Sequence, residues 1–114
     1  MIPSLHNFMS TDKLSPEEKE TLLKVARESL ELGLRGERLP SLDPNTPLLQ
    51  ADGATFVTLT INGALRGCIG ALEPYQPLIE DVREHALAAA QNDFRFNPVR
   101  PEELDEIEIE ISRK

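Results

Sequence analysis

Residues 54–63 read Ala54-Thr55-Phe56-Val57-Thr58-Leu59-Thr60-Ile61-Asn62-Gly63, and this stretch decides the fold. It is rich in β-branched and aromatic side chains, which suit a pleated, half-buried surface. Phe56 aside, apolar Val57, Leu59 and Ile61 alternate with Thr58 and Thr60, the period-2 pattern of a strand with one face in a core. Asn62-Gly63 is a favoured pair for a two-residue type I′ hairpin, in which both central positions need positive φ. The chain should therefore turn there and return as a second strand over Ala64 to Leu72. Glu73-Pro74-Tyr75-Gln76-Pro77 ends that strand.

The flanking segments supply helices. Upstream, Ser15-Pro16-Glu17-Glu18 is a helix start: Ser15 at the N-cap, Pro16 at the first helical position, and Glu18 completing a capping box. Leu22, Leu23, Ala26 and Leu30 follow at helical spacing, with Gly33 and Gly36 as candidate stops. Gly36 to Gly53 carries Pro40, Pro44 and Pro47 and reads as a long loop with a short helical turn at Leu48-Leu49. Downstream, a second helix is expected from near Pro77 to about Gln91, burying Leu78, Val82, Ala86 and Ala89 or Ala90. Glu106-Ile107-Glu108-Ile109-Glu110-Ile111 alternates without a break, as a half-buried antiparallel or edge strand does. The order helix, hairpin, helix, strand predicts an α+β fold: a mainly antiparallel sheet with helices packed on one face. Residues 1–14 read as a loosely ordered N-terminal segment, with Phe8 and Met9 expected to dock on the core, and 15–114 as one domain.

Composition narrows the function classes. At 114 residues the chain supports one core. A formal charge of -8 argues against nucleic acid and against anionic membrane surfaces, both of which require an excess of Lys and Arg. No apolar run reaches the roughly 20 residues of a membrane span. One cysteine, Cys68, cannot form an intramolecular disulfide, which points to the cytoplasm. The N-terminus has neither the basic start nor the apolar stretch of a signal peptide.

Chemistry concentrates in the return strand. Arg66 and Cys68 are two residues apart and share a face if no bulge intervenes. A neighbouring guanidinium favours the thiolate, the reactive form of cysteine. Gly67 and Gly70 clear side chains from around it, giving a shallow electropositive slot with a thiol in it. The competing reading is that Cys68 is a small buried hydrophobe, as free cysteines commonly are. Arg66 either anchors an anionic group or forms a salt bridge. His85 would act as a general base if its helix packs over Cys68; otherwise it is an ordinary half-exposed helix residue. His6 lies in the unplaced N-terminal segment. Two histidines and one cysteine, far apart in sequence, make no metal motif, and no cofactor is called for. Glu106, Glu108 and Glu110 read as a solvated face that protects an edge strand.

These residues together resemble the AMMECR domain family, named for the AMME syndrome chromosomal region and known in prokaryotes as the A component of the AmmeMemoRadiSam system. The resemblance runs from about Ser15 to Ile111. Phe56-Val57-Thr58-Leu59, the Asn62-Gly63 turn and Leu65-Arg66-Gly67-Cys68-Ile69-Gly70 carry it most specifically. Pro77-Leu78-Ile79-Glu80-Asp81-Val82, Ala88-Ala89-Ala90, Asp93-Phe94-Arg95-Phe96 and Leu104-Asp105-Glu106-Ile107-Glu108-Ile109 support it. The resemblance implies an α/β architecture and a functional site at the motif. It also implies a shared pathway with a Memo-like protein and a radical SAM protein, with no settled biochemical activity. On that ground Arg66, Gly67, Gly70, Asp93 and Arg95 are binding candidates and Cys68 a catalytic one. Two readings stand: a binding module acting through this surface, or an enzyme using Cys68 as nucleophile with Arg66 holding an anionic substrate. The chain departs from the family pattern in two places. Phe94 replaces a proline in Asp-Pro-Arg-Phe, which should loosen that turn. The sequence also stops where family domains continue into a smaller second part, which should leave an apolar face open to self-association.

Overall fold

A computed structural model describes residues 14–44 and 46–113. Phe8, Met9 and His6 lie outside the described residues; Leu14 is buried in the core. The elements are α1 (Pro16–Gly33), α2 (Pro47–Gln50), β1 (Thr55–Ile61), β2 (Ala64–Gly70), α3 (Leu78–Gln91), a 3-10 helix (Pro101–Glu106) and β3 (Ile107–Arg113). The three strands form one antiparallel sheet in the order β2-β1-β3. With the helices packed against it, the arrangement is the expected α+β one.

Local sequence explains most of these boundaries. The hairpin turns at Asn62 (φ 51°) and Gly63 (φ 81°), so both positions take the left-handed conformation that the pair tolerates. The helix α1 starts with a complete capping box: the Glu18 amide donates to Ser15 Oγ at 3.1 Å, and the Ser15 amide to Glu18 Oε1 at 2.9 Å. Glu18 also accepts from the Thr46 hydroxyl, and Thr46 caps α2. One carboxylate thus ties two helix starts together, and the Thr46 hydrogen bond chiefly holds its pKa below the ordinary value. The 3-10 helix is not announced by apolar periodicity. β2 ends at Gly70, two residues earlier than the sequence suggests, although the Ala71 amide still donates to Thr55 O.

The core lies between the sheet and the helices. Val57, Leu59, Ile107, Ile109 and Ile111 meet Leu22, Ala26, Leu30, Val82, Ala86 and Ala89. Each fully buried aliphatic side chain contributes about 1.5–3 kcal/mol of transfer free energy. Helix α3 packs very close to β2: a Cβ on Gly67 would stand 2.1 Å from the Ala89 carbonyl oxygen. The opposite face of the sheet carries Phe56, Thr58 and Thr60 from β1 with Cys68 and Gly70 from β2, all half-buried. Glu108 and Glu110 of β3 share that face. That face is mixed in character, with apolar, hydroxyl and carboxylate side chains.

Candidate functional site

The register sets which motif residues meet. Leu59 pairs with Gly67 and Val57 with Ile69, so Gly67 and Ile69 lie on the helix side. Thr58 pairs with Cys68 and Phe56 with Gly70, so these lie on the opposite face. The pairing slips between Leu59 and Thr60, which leaves Arg66 as a bulge residue with no partner in β1. This separates the residues that the sequence places together.

Arg66 does not form a slot with Cys68. Its guanidinium holds Glu103 through Nε at 2.9 Å and Nη2 at 3.0 Å, and donates to the carbonyls of Asn97 and Pro98 at 2.8 and 3.4 Å. A bidentate, mostly buried pair of this kind ties β2 to the connector before β3. The Arg66 guanidinium is also the main reason that the Glu103 carboxyl titrates below its usual range. Arg66 is therefore a structural tie, its donors directed at Glu103, Asn97 and Pro98. Gly67 is not a surface residue either: it is buried, and its missing side chain makes room for the α3 backbone. Gly70 lies on the open face beneath the Phe56 ring, where an added Cβ would meet that ring at 2.4 Å and Thr55 O at 2.5 Å.

Asp93 and Arg95, by contrast, do converge on Cys68. The Cys68 amide donates to Asp93 Oδ2 at 3.0 Å. The same carboxylate receives Arg95 Nε at 2.9 Å, Arg95 Nη2 at 2.7 Å and the Arg95 amide at 3.2 Å. These donors, the Arg95 side chain first, hold the Asp93 carboxyl well below the usual carboxylate range. The Arg95 guanidinium is shifted upward by the Asp93 hydrogen bond and charge, with a smaller contribution from Cys68. Asp93 thus joins Arg95 to the backbone of Cys68. The missing proline does not open the turn, because Asp93 closes it as an Asx-turn and its carbonyl accepts from the Phe96 amide at 3.0 Å. Arg95 also lies over the Phe96 ring at 5.5 Å. Phe94, in the proline's place, is 97% exposed. The Cys68 sulfur is half-buried and 3.1 Å from Thr58 Oγ1.

His85 belongs to a different cluster. Helix α3 packs on the Gly67 side of the sheet, so His85 is on the far side from Cys68 and is not its base. Its Nδ1 is 3.1 Å from Asp81 Oδ2, and the ring is buried. Asp81, fully buried, also accepts from the Thr55 amide at 2.8 Å, Thr55 Oγ1 at 2.7 Å and Gln76 Nε2 at 3.1 Å. These donors satisfy a buried carboxylate and fasten α3 to the start of β1. Sequence reading missed Asp81, although it lies four residues before His85 on the buried stripe of α3. At the exposed end of the cluster the Tyr75 hydroxyl donates to Glu84 Oε2 at 2.6 Å, and this acceptor is the chief reason its pKa is pushed up to about 12.

Among the described residues, no group of three or more His, Cys, Asp or Glu side chains is placed to hold a metal ion. Among the same residues, no helix is long and apolar enough to cross a membrane. The surface around Cys68 thus offers an accessible ring at Phe94, a guanidinium at Arg95 and a half-buried thiol beside a hydroxyl.

The chain is similar to several known proteins. A protein of Methanothermobacter thermautotrophicus is 47% identical over 100 residues, covering 87% of this chain and 52% of that protein. A protein of Methanopyrus kandleri is 41% identical over 104 residues, covering 89% of this chain and 50% of its own length. The crystal structure of an uncharacterized protein from Pyrococcus horikoshii superposes with a TM-score of 0.83 at 35% identity, over 90% of this chain and 53% of that one. The chain spans about half the length of the relatives it matches. A family model described as AMMECR1 matches residues 23–113, from α1 through the Cys68 strand and the Asp93 turn to the end of β3. This chain belongs to the AMMECR1 family.

Proposed function

We propose that this chain is a binding module, or a subunit of a larger assembly, that engages protein partners through the surface around Cys68 and the Asp93–Phe96 turn. The partners we assign are a Memo-like protein and a radical SAM protein, acting in the cytoplasm. The observation that carries this reading is Phe94: an aromatic ring, 97% exposed, on a turn fixed to β2 by Asp93. An exposed ring costs solvation free energy when left in water, and rigidly presented aromatics are typical anchors of protein interfaces. Leu65, 42% exposed on β2, adds apolar area. Arg95, half exposed on the same turn, adds a charge suited to an interface rim.

The test is calorimetric titration of the purified Memo-like and radical SAM proteins against the chain and its Phe94→Ala variant. If Phe94 is an anchor, its truncation weakens binding by about 30-fold, the scale of an interface hot spot of roughly 2 kcal/mol. Equal affinity for both forms, or no binding of either partner to the unaltered chain, refutes the reading. A second reading, nucleophilic catalysis by Cys68, is favoured by Asp93, whose carboxylate holds both the Cys68 amide and the Arg95 guanidinium. Cys68→Ser separates the two, since it spares partner binding in the first and abolishes turnover in the second.

A further inference from the structure

The two edges of the sheet are protected in different ways. The Ala71 amide donates to Thr55 O, so the backbone of Thr55, Val57 and Leu59 points toward β2 and that of Phe56, Thr58 and Thr60 toward β3. It follows that the amides and carbonyls of Ile107, Ile109 and Ile111 face outward from β3, and those of Cys68 and Gly70 outward from β2. On β3 the Ile107 carbonyl is taken by Arg27 Nη2 at 2.6 Å. Glu108 and Glu110 guard the rest: in a pairing of β3 with a second β3, carboxylates stand beside carboxylates. β2 has no such guard. Ala64-Leu65-Arg66-Gly67-Cys68-Ile69-Gly70 carries one charge, Arg66, and that is spent on Glu103.

The β2 edge is also self-complementary. An antiparallel pair centred on Ile69 sets Cys68 opposite Gly70 of a second copy, and Gly70 opposite its Cys68. Both outward-facing residues then form the hydrogen-bonded pairs, and neither pair crowds, because Gly70 has no side chain. The position that the neighbouring strand's carbonyl would take is occupied by Asp93 Oδ2, 3.0 Å from the Cys68 amide.

We infer that Asp93 is the guard of the β2 edge, its carboxylate standing in for the missing strand and so preventing two copies of this chain from pairing β2 with β2. The Asp93 turn lies alongside Cys68, so its release uncovers the edge, while Arg66 keeps the chain beyond it attached at Asn97 and Pro98. This inference does not depend on the identity of any partner of the Phe94 surface.

The experiment compares the chain with Asp93→Asn and Asp93→Ala by sedimentation over a wide concentration range, with amide exchange at Cys68 as the local readout. The unaltered chain and Asp93→Asn, whose side-chain carbonyl still accepts the amide, stay monomeric with a slowly exchanging Cys68 amide. Asp93→Ala moves toward twice the monomer mass as concentration rises. Its Cys68 amide exchanges about tenfold or more faster when dilute and regains protection when concentrated. Adding Cys68→Lys to Asp93→Ala restores the monomer, since it sets two lysines on one face, diagonally across the Ile69 centre. Should Asp93→Ala not fold, Asp93→Ser, too short to reach the amide, replaces it with the same expectation. A monomeric Asp93→Ala at every concentration overturns the proposal. So does a dimer whose Cys68 amide stays unprotected, or fast exchange of that amide in the unaltered chain.

Discussion

Gly67→Ala tests whether the motif glycine packs α3 or contacts a partner. The added methyl would sit 2.1 Å from Ala89 O and 3.1 Å from Ala89 C, both backbone atoms of α3. Ordinary contact begins near 3.4 Å, so strand and helix must separate by about 1.3 Å. No side-chain rotation relieves the clash, because neither atom belongs to a side chain. Gly67 has no positive φ, so backbone strain adds nothing. The shift loosens contacts of Ala86, Ala89 and Ala90, which are all buried against the sheet. Overpacking of this kind costs 1–3 kcal/mol, and the rigid partner atoms put this case at about 3 kcal/mol. In a domain of this size that lowers the melting temperature by about 10–20 °C. Equilibrium urea denaturation is the assay, with a lower midpoint and an unchanged slope as the expected result. A variant within about 0.5 kcal/mol of the parent, the scale of an ordinary surface substitution, that has nonetheless lost partner binding would refute the packing argument and return Gly67 to the interface.

Two other measurements probe the charged clusters. The Asp93 carboxyl is depressed in the folded chain, so its contribution is present above the unfolded value of about 3.9 and is lost as pH falls through the folded value. Thermal melts should therefore show the chain more stable than Asp93→Asn at neutral pH, with the gap closing as pH drops below about 4; a constant gap would contradict the ion pair with Arg95. Tyr75 should ionise with a midpoint near 12 in an ultraviolet titration. In Glu84→Gln it should fall back toward about 10, and an unmoved midpoint would mean that Glu84 is not its acceptor.

Local chemistry made much of the fold legible. The hairpin, the Ser15 capping box and the alanine-rich stripe of α3 each depend on residues within a few positions of one another, where propensity and periodicity act directly. The site was legible only as a neighbourhood. Whether Arg66 shares a face with Cys68 stayed open in the sequence because strand alternation holds only while the register holds, and the slip at Leu59/Thr60 is set by pairing that no local pattern encodes. Gly67 was read as an open slot because a glycine signals a close approach without saying what approaches. Asp93 and Arg95 were found by resemblance alone, since the hydrogen bond to the Cys68 amide joins residues 25 apart in sequence. His85 was weighed against Cys68 when its partner was Asp81, one helical turn away on its own helix. A buried acid–histidine pair looks in sequence like any two polar residues at that spacing.

The strand order also has a kinetic consequence. β1 and β2 are joined by two residues, so their hairpin can close within microseconds. β3 reaches the other side of β1 only after α3 and the 3-10 helix have been traversed, and this later closure spans a far longer loop. Until then an isoleucine-rich strand waits unpaired, the kind of segment that captures neighbouring chains. The glutamates between those isoleucines act as gatekeepers during that wait, keeping β3 dispersed until β1 receives it.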